Sequence, residues 1–375
     1  MSSDPAPVEV NPLLRLGQLG QSIWYDYITR DLLSSGELER LIIEDGLRGM
    51  TSNPTIFEKA IAGSHLYDED IRRLSERGRS SGEIFEALAV ADVQAACDGF
   101  MPLYQQSDGR DGFVSLEVSP WLAHDSEATV HEADRLWNAV GRPNAMIKIP
   151  GTEAGLSAIT QSIALGISVN VTLLFSVARY AEVIEAFLRG LEWRLDRKLG
   201  LHSIASVASF FVSRVDAKVD SLLDQIGAGA SLRGTIAIAN ACTAYQIFRQ
   251  SLATDRWTRL ARAGARPQRP LWASTSTKDP RYPDVYYVEA LIAPETVNTL
   301  PPETLEAYRD HGNPSIRIHE GIAAAPAQLG ALRQTGIDLQ TITRELEEEG
   351  VAKFAASHAS VLAGIEAKAG TLAAR

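Results

Sequence analysis

Lys148 stands in the run Ala145-Met-Ile-Lys-Ile-Pro150, apolar on both sides. Taking an ammonium out of water disfavours its charged form, and a neutral amine is what attack on a carbonyl and Schiff-base formation require. A lysine paired with a buried carboxylate is the plainer alternative. Glu117 and Asp26, each late in an apolar run, suit either account, as ion-pair partners or as the proton-transfer groups that imine chemistry needs.

The neighbouring runs carry the same signature. Side chains alternate faces along a strand, and a parallel strand covered on both sides reads as nearly all apolar. Here Ser168, Asn170 and Thr172 share one face and Val169, Val171 and Leu173 the other. Phe113, Ser115 and Glu117 oppose Val114, Leu116 and Val118, and Met146 and Lys148 oppose Ala145, Ile147 and Ile149. Trp24 aligns with Asp26, Thr51 with Asn53, and Trp272 with Ser274 and Ser276. Unpaired polar groups cost roughly 1–3 kcal/mol each when buried, so polar faces on several strands point to a site rather than to core filling. A satisfied structural network is the competing account.

The elements that must position these residues are short apolar runs at 22–28, 47–53, 113–118, 145–150, 168–174, 204–212, 270–276 and 286–293, separated by helical patterns. Tyr180, Val183, Ile184, Phe187, Leu188 and Leu191 give one such pattern. Strand–helix alternation implies parallel strands with crossover helices, and eight repeats in 375 residues predict an α/β fold, a closed (β/α)8 TIM barrel. Its polar faces point inward, and the late polar residues stand at the C-terminal mouth, where Phe211 and Trp272 would help exclude water. The insertion at 54–111 is long and helical. Residues 1–14 read as a loose tail and 15–375 as one barrel domain. Its extension, 319–375, is Ala-rich and helical, with Val351, Phe354, Val361, Leu362 and Ile365 as an apolar stripe, His358 at its edge, and an acidic run at 345–349 as a solvated face.

Composition narrows the function. The 36 basic and 47 acidic side chains leave a net charge of −11, which argues against a nucleic-acid partner. No apolar run is long enough for a membrane span, and the first residues lack the pattern of a signal peptide. Cys97 and Cys242 lie far apart, as reduced buried thiols of a cytoplasmic protein would. Phosphate-binding loops, dinucleotide fingerprints, zinc motifs and nucleophile elbows are all missing. Gly151-Thr152 reads as a strand exit with Thr152 as a helix N-cap.

Five segments in order resemble the transaldolase family: Thr-Ser-Asn-Pro at 51–54, Ser-Leu-Glu-Val at 115–118, Ile-Lys-Ile-Pro at 147–150, Val-Asn-Val-Thr-Leu-Leu-Phe-Ser at 169–176 and Ser-Phe-Phe-Val-Ser-Arg-Val-Asp at 209–216. The length and the helical insertion resemble its larger bacterial subfamily. The resemblance implies a class I Schiff-base barrel of carbohydrate metabolism, in the pentose phosphate pathway, with no metal and no organic cofactor. It implies sugar-phosphate substrates: a dihydroxyacetone unit passes reversibly from sedoheptulose 7-phosphate to glyceraldehyde 3-phosphate, giving erythrose 4-phosphate and fructose 6-phosphate. Lys148 matches the family's Schiff-base lysine, Asp26 its acid/base for the C3–C4 bond, and Glu117 the carboxylate acting through a water that Thr172 helps hold. Asn53 and Asn170 match groups binding the dihydroxyacetone hydroxyls, Arg214 and Ser274 match phosphate contacts, and Ser209 and Phe211 line the site. The chain departs from shorter members at Ser276, where they carry an arginine; Lys278 is the candidate replacement, a point charge without the arginine fork. An aldolase on the same barrel releasing free dihydroxyacetone, and a non-catalytic sugar-phosphate-binding protein, are the alternatives. A monomer and a homodimer are both compatible with the extension.

Overall fold

The eight strands are β1 (Gln21–Tyr25), β2 (Leu47–Met50), β3 (Phe113–Glu117), β4 (Ala145–Pro150), β5 (Val169–Leu174), β6 (Ser206–Phe211), β7 (Arg269–Ala273) and β8 (Thr296–Leu300), in a computed structural model that describes residues 11–373. Each strand pairs in parallel with the next, and β8 returns to β1, closing the expected (β/α)8 barrel. The crossover helices cover the outside. Glu153–Leu165, for example, starts on the expected cap, the Thr152 hydroxyl accepting from the Gly155 amide at 3.1 Å.

The register puts the polar faces inside. Glu117 sits beside Lys148, and Lys148 beside Asn170. Below them Trp24 fills the barrel, fully buried. Its neighbour Gly49 is required there, because a Cβ would stand 2.6 Å from the indole. At the N-terminal end Asp111 closes the interior, accepting from Ser22 at 2.8 Å and Arg269 at 3.0 Å.

The structure departs from the sequence expectation in several places. The run 286–293 is not the eighth strand: Tyr286–Ala290 is a short helix, and the strand is Thr296–Leu300. The latter looks too polar for a buried strand, but Thr296 donates to the Ala293 carbonyl at 2.6 Å and the Asn298 amide oxygen accepts from Thr275 at 2.9 Å. At the start, Pro12–Gln18 is a helix with Leu13 and Leu16 buried, so residues 12–14 of the expected tail are ordered, while residues 1–10 lie outside the described residues. Finally, the acidic run is only partly a solvated face: the Glu347 side chain is 20% exposed, while the more exposed Glu345 and Glu349 pair with Lys218 at 2.7 and 2.6 Å.

That last pairing reflects the path of the terminal helix. Leu339–Ala373 runs across the C-terminal mouth of the barrel. The insertion supplies one rim, with helices Pro54–Ala62, Asp68–Glu76 and Ser81–Gln106. On that side Ser357 bonds Thr55 at 2.8 Å, Lys368 pairs with Asp68 at 2.8 Å, and His358 packs edge-on against Phe85 and Trp121. Lys218, on the helix Ser213–Ile226 after β6, holds the other rim. Between the rims Gly350 lies over Leu173, which a φ of 60° turns toward the helix. Among the described residues no helix is long and apolar enough to cross a membrane. Cys97 and Cys242 are buried free thiols, and burial pushes both up to about 12.

Candidate active site

The strand ends converge on a cavity of about 420 Å³ at the mouth. Asp26 follows β1, Asn53 follows β2, Lys148 is on β4 and Thr172 on β5. Ser209 and Phe211 are on β6, with Arg214 one residue inside the next helix, and Ser274 and Lys278 follow β7. All nine line the cavity. The remaining two expected residues, Glu117 and Asn170, stand behind this lining.

Lys148 is 4% exposed. Its Nζ donates to the Ser52 carbonyl at 3.1 Å and lies 3.4 Å from Glu117 Oε2. The Glu117 side chain is itself 4% exposed. Burial pushes this carboxyl up to about 7, with Lys148 opposing the shift. Asp26 is raised from the usual carboxylate range too, again by burial, against the pull of Lys148, a Thr51 hydrogen bond and Arg214. Thr51 Oγ1 donates to Asp26 at 2.6 Å and accepts in turn from Thr299 at 2.8 Å. Asn170 donates to Ser115 at 2.9 Å and accepts from Ser209 at 2.7 Å, which fixes its amide. The Thr172 hydroxyl, by contrast, is buried without a protein partner among the described residues. Asn53 caps the helix Pro54–Ala62, accepting from Ile56 at 3.0 Å.

The cationic end of the cavity holds Arg214, its guanidinium 5.1 Å from the Phe211 ring, and Lys278, which donates to Ser276 at 2.7 Å. Burial lowers the proton affinity of both. Trp272, expected in the mouth, lies instead beneath the helix layer, beside Phe210 and donating to the Leu291 carbonyl at 3.0 Å. The alternation that linked it to Ser274 breaks because Ser274 adopts φ 54°, which turns its hydroxyl into the cavity.

Three contributors carried no signal strong enough to find. Thr299 belongs to the strand that the apolar pattern missed. The Ser52 contact is a backbone carbonyl, to which side-chain type is blind. Phe354, visible only as part of a stripe, comes within 5.8 Å of the Lys148 amine. Among the described residues no group of three or more His, Cys, Asp or Glu side chains is arranged to hold a metal ion.

Fold and site together define a lysine-centred (β/α)8 barrel, with a buried amine beside a carboxyl of raised proton affinity and a cationic rim. The chain belongs to the Transaldolase/Fructose-6-phosphate aldolase family, whose pattern matches residues 23–365. It is similar to "Transaldolase 2" of a Nostoc species, 47% identical over 96% of this chain and 98% of the relative. It is likewise similar to proteins named "Transaldolase" from a Parafrankia species, 50% identical over 96% and 99%, and from Acidothermus cellulolyticus, 51% identical over 95% and 96%.

Proposed function

We propose that this chain is a transaldolase acting through an imine at Lys148. Transaldolase activity is what the family and the names of relatives matched over nearly their whole length support. The reaction moves a dihydroxyacetone unit between sugar phosphates, and a cytoplasmic setting goes with it. The observation that carries the reading is the placement of the Lys148 amine, buried and 3.4 Å from Glu117, in the cavity that Asp26 also lines.

The steps follow from the groups available. The Lys148 amine attacks the C2 carbonyl of the donor ketose, forming a C–N bond and a carbinolamine. Glu117, near neutrality in its affinity for protons, supplies a proton to the departing hydroxyl, and water leaves to give the iminium ion. Thr172, with hydrogen-bonding capacity unfilled by protein, helps hold the water that relays this proton. Asp26 takes the C4 hydroxyl proton, the C3–C4 bond breaks, and its electron pair flows to the iminium as an enamine. The aldose phosphate leaves. An acceptor aldose enters, the enamine carbon attacks its carbonyl, Asp26 returns the proton, and hydrolysis frees the new ketose. Asn53 and Asn170 hold the hydroxyls of the dihydroxyacetone unit, Ser209 fixing Asn170. Arg214, Ser274 and Lys278 receive the phosphate, and Phe211 stacks beneath the guanidinium.

Borohydride trapping with fructose 6-phosphate tests this. Wild type should carry a covalent adduct at Lys148, lost in Lys148→Arg, and Asp26→Ala should still form the adduct but fail to cleave. An unlabelled wild type would remove the imine reading. Free dihydroxyacetone measured with and without erythrose 4-phosphate separates the two activities in the family's description. Slow release without acceptor is expected, and rapid release would make the chain an aldolase.

A further inference from the structure

The cavity mouth holds more positive charge than Arg214 and Lys278 supply. Lys353, on the helix that crosses the mouth, lines the same cavity. In this chain cations are commonly paired; Arg256, for instance, is held by both Glu185 and Glu192. Among the described residues Arg214, Lys278, Lys353 and, on the insertion side, Lys59 form no ion pair, although all four border one cavity. The charges of Arg214 and Lys353 both bear on Lys278, along with the opposing charges of Glu303 and Asp26. These unpaired cations face one space, with only Asp26 and Glu303 as acidic neighbours in its lining, so they repel one another, and that cost is offset when a dianion sits among them.

The terminal helix gives Lys353 a second consequence. Phe354, the next residue, is buried with its ring 5.8 Å from the Lys148 amine. A helix holds adjacent residues in fixed relation, so a ligand that holds Lys353 also seats Phe354 over the reacting centre. We propose that Lys353 is a phosphate-specificity residue: with Arg214 and Lys278 it completes the receptor for the sugar's phosphate from the terminal helix, at a site where the strand β7 side offers Ser276. This rests on the reading of the cavity as a sugar-phosphate site.

The test is equilibrium binding of inorganic phosphate to the intact protein, beside kcat/KM for glyceraldehyde 3-phosphate and for unphosphorylated glyceraldehyde as acceptors. Lys353→Met should weaken phosphate about tenfold, in line with the loss of one charge-assisted contact. It should lower kcat/KM for the phosphorylated acceptor by a similar factor and leave glyceraldehyde within about twofold, with Lys353→Arg restoring most of the loss. Lys353→Gln, measured in parallel, guards against a folding defect peculiar to methionine. Unchanged phosphate affinity, or equal losses with both acceptors, overturns the assignment. A wild type that forms no Lys148 adduct would instead overturn the proposed function, and the phosphate titration would still decide the role of Lys353.

Discussion

Glu117→Gln should change how the protein's stability depends on pH, in a direction that burial dictates. In the unfolded chain the Glu117 carboxyl ionises near its ordinary 4.5, whereas the folded protein pushes it up to about 7. Between these values the folded state holds a proton that the unfolded state has lost, so stability falls as pH rises and levels off above about 7. The part of this loss lying between pH 5 and pH 8 is about 2–3 kcal/mol. Asp216, buried against the Ala237 amide and Tyr287, is also pushed up to about 7 and contributes in the same window. The difference between wild type and variant removes that shared contribution. Urea denaturation at pH 5, 6, 7 and 8 should therefore show Glu117→Gln gaining on wild type by about 2–3 kcal/mol across the range. A difference that stays flat, or widens in wild type's favour toward pH 8, would refute the claim that burial outweighs the attraction of Lys148 at this carboxyl.

Arg214→Ala should raise KM for phosphorylated substrates by about tenfold to a hundredfold while sparing unphosphorylated sugars; equal losses with both in steady-state assays would count against a phosphate contact. Gly49→Ala should cost about 1–3 kcal/mol or more, because its Cβ meets the Trp24 indole at 2.6 Å inside a packed barrel; an unchanged urea midpoint would mean that the indole moves freely.

The barrel was legible because its strands announce themselves twice, through apolar runs and through polar residues in phase along them. Lys148, Glu117 and Asn170 stand in adjacent register inside the barrel, as the alternation required. The reading failed where local physics breaks that rule. Tyr286–Ala290 is largely apolar because it is a helical turn that buries Tyr287 and Val288, and Thr296–Leu300 tolerates polar residues because Thr296, the Asn298 oxygen and Thr299 are hydrogen-bonded inside the fold. Ser274 reaches the cavity through a left-handed backbone, so its spacing from Trp272 misled. The roles of Thr51 and Thr299 depend on a chain of hydroxyls leading to Asp26 from strands far apart in sequence, and composition contains no trace of such a chain.

The decorations outside the barrel belong to the same argument as the site. In the proposed mechanism an enamine at Lys148 persists only while water is kept from its nucleophilic carbon, and a barrel mouth alone is open. Here the terminal helix lays Phe354 over the amine, and the insertion after β2 exists in the fold as the rim that holds this helix through Thr55, Asp68 and Phe85. Lys218 holds the opposite side through Glu345 and Glu349. Exposed ion pairs of this kind contribute little stability one at a time, about 0–1 kcal/mol each. The residues that look least catalytic in the sequence, an alanine-rich tail and a helical insertion, thus cover and border the candidate site.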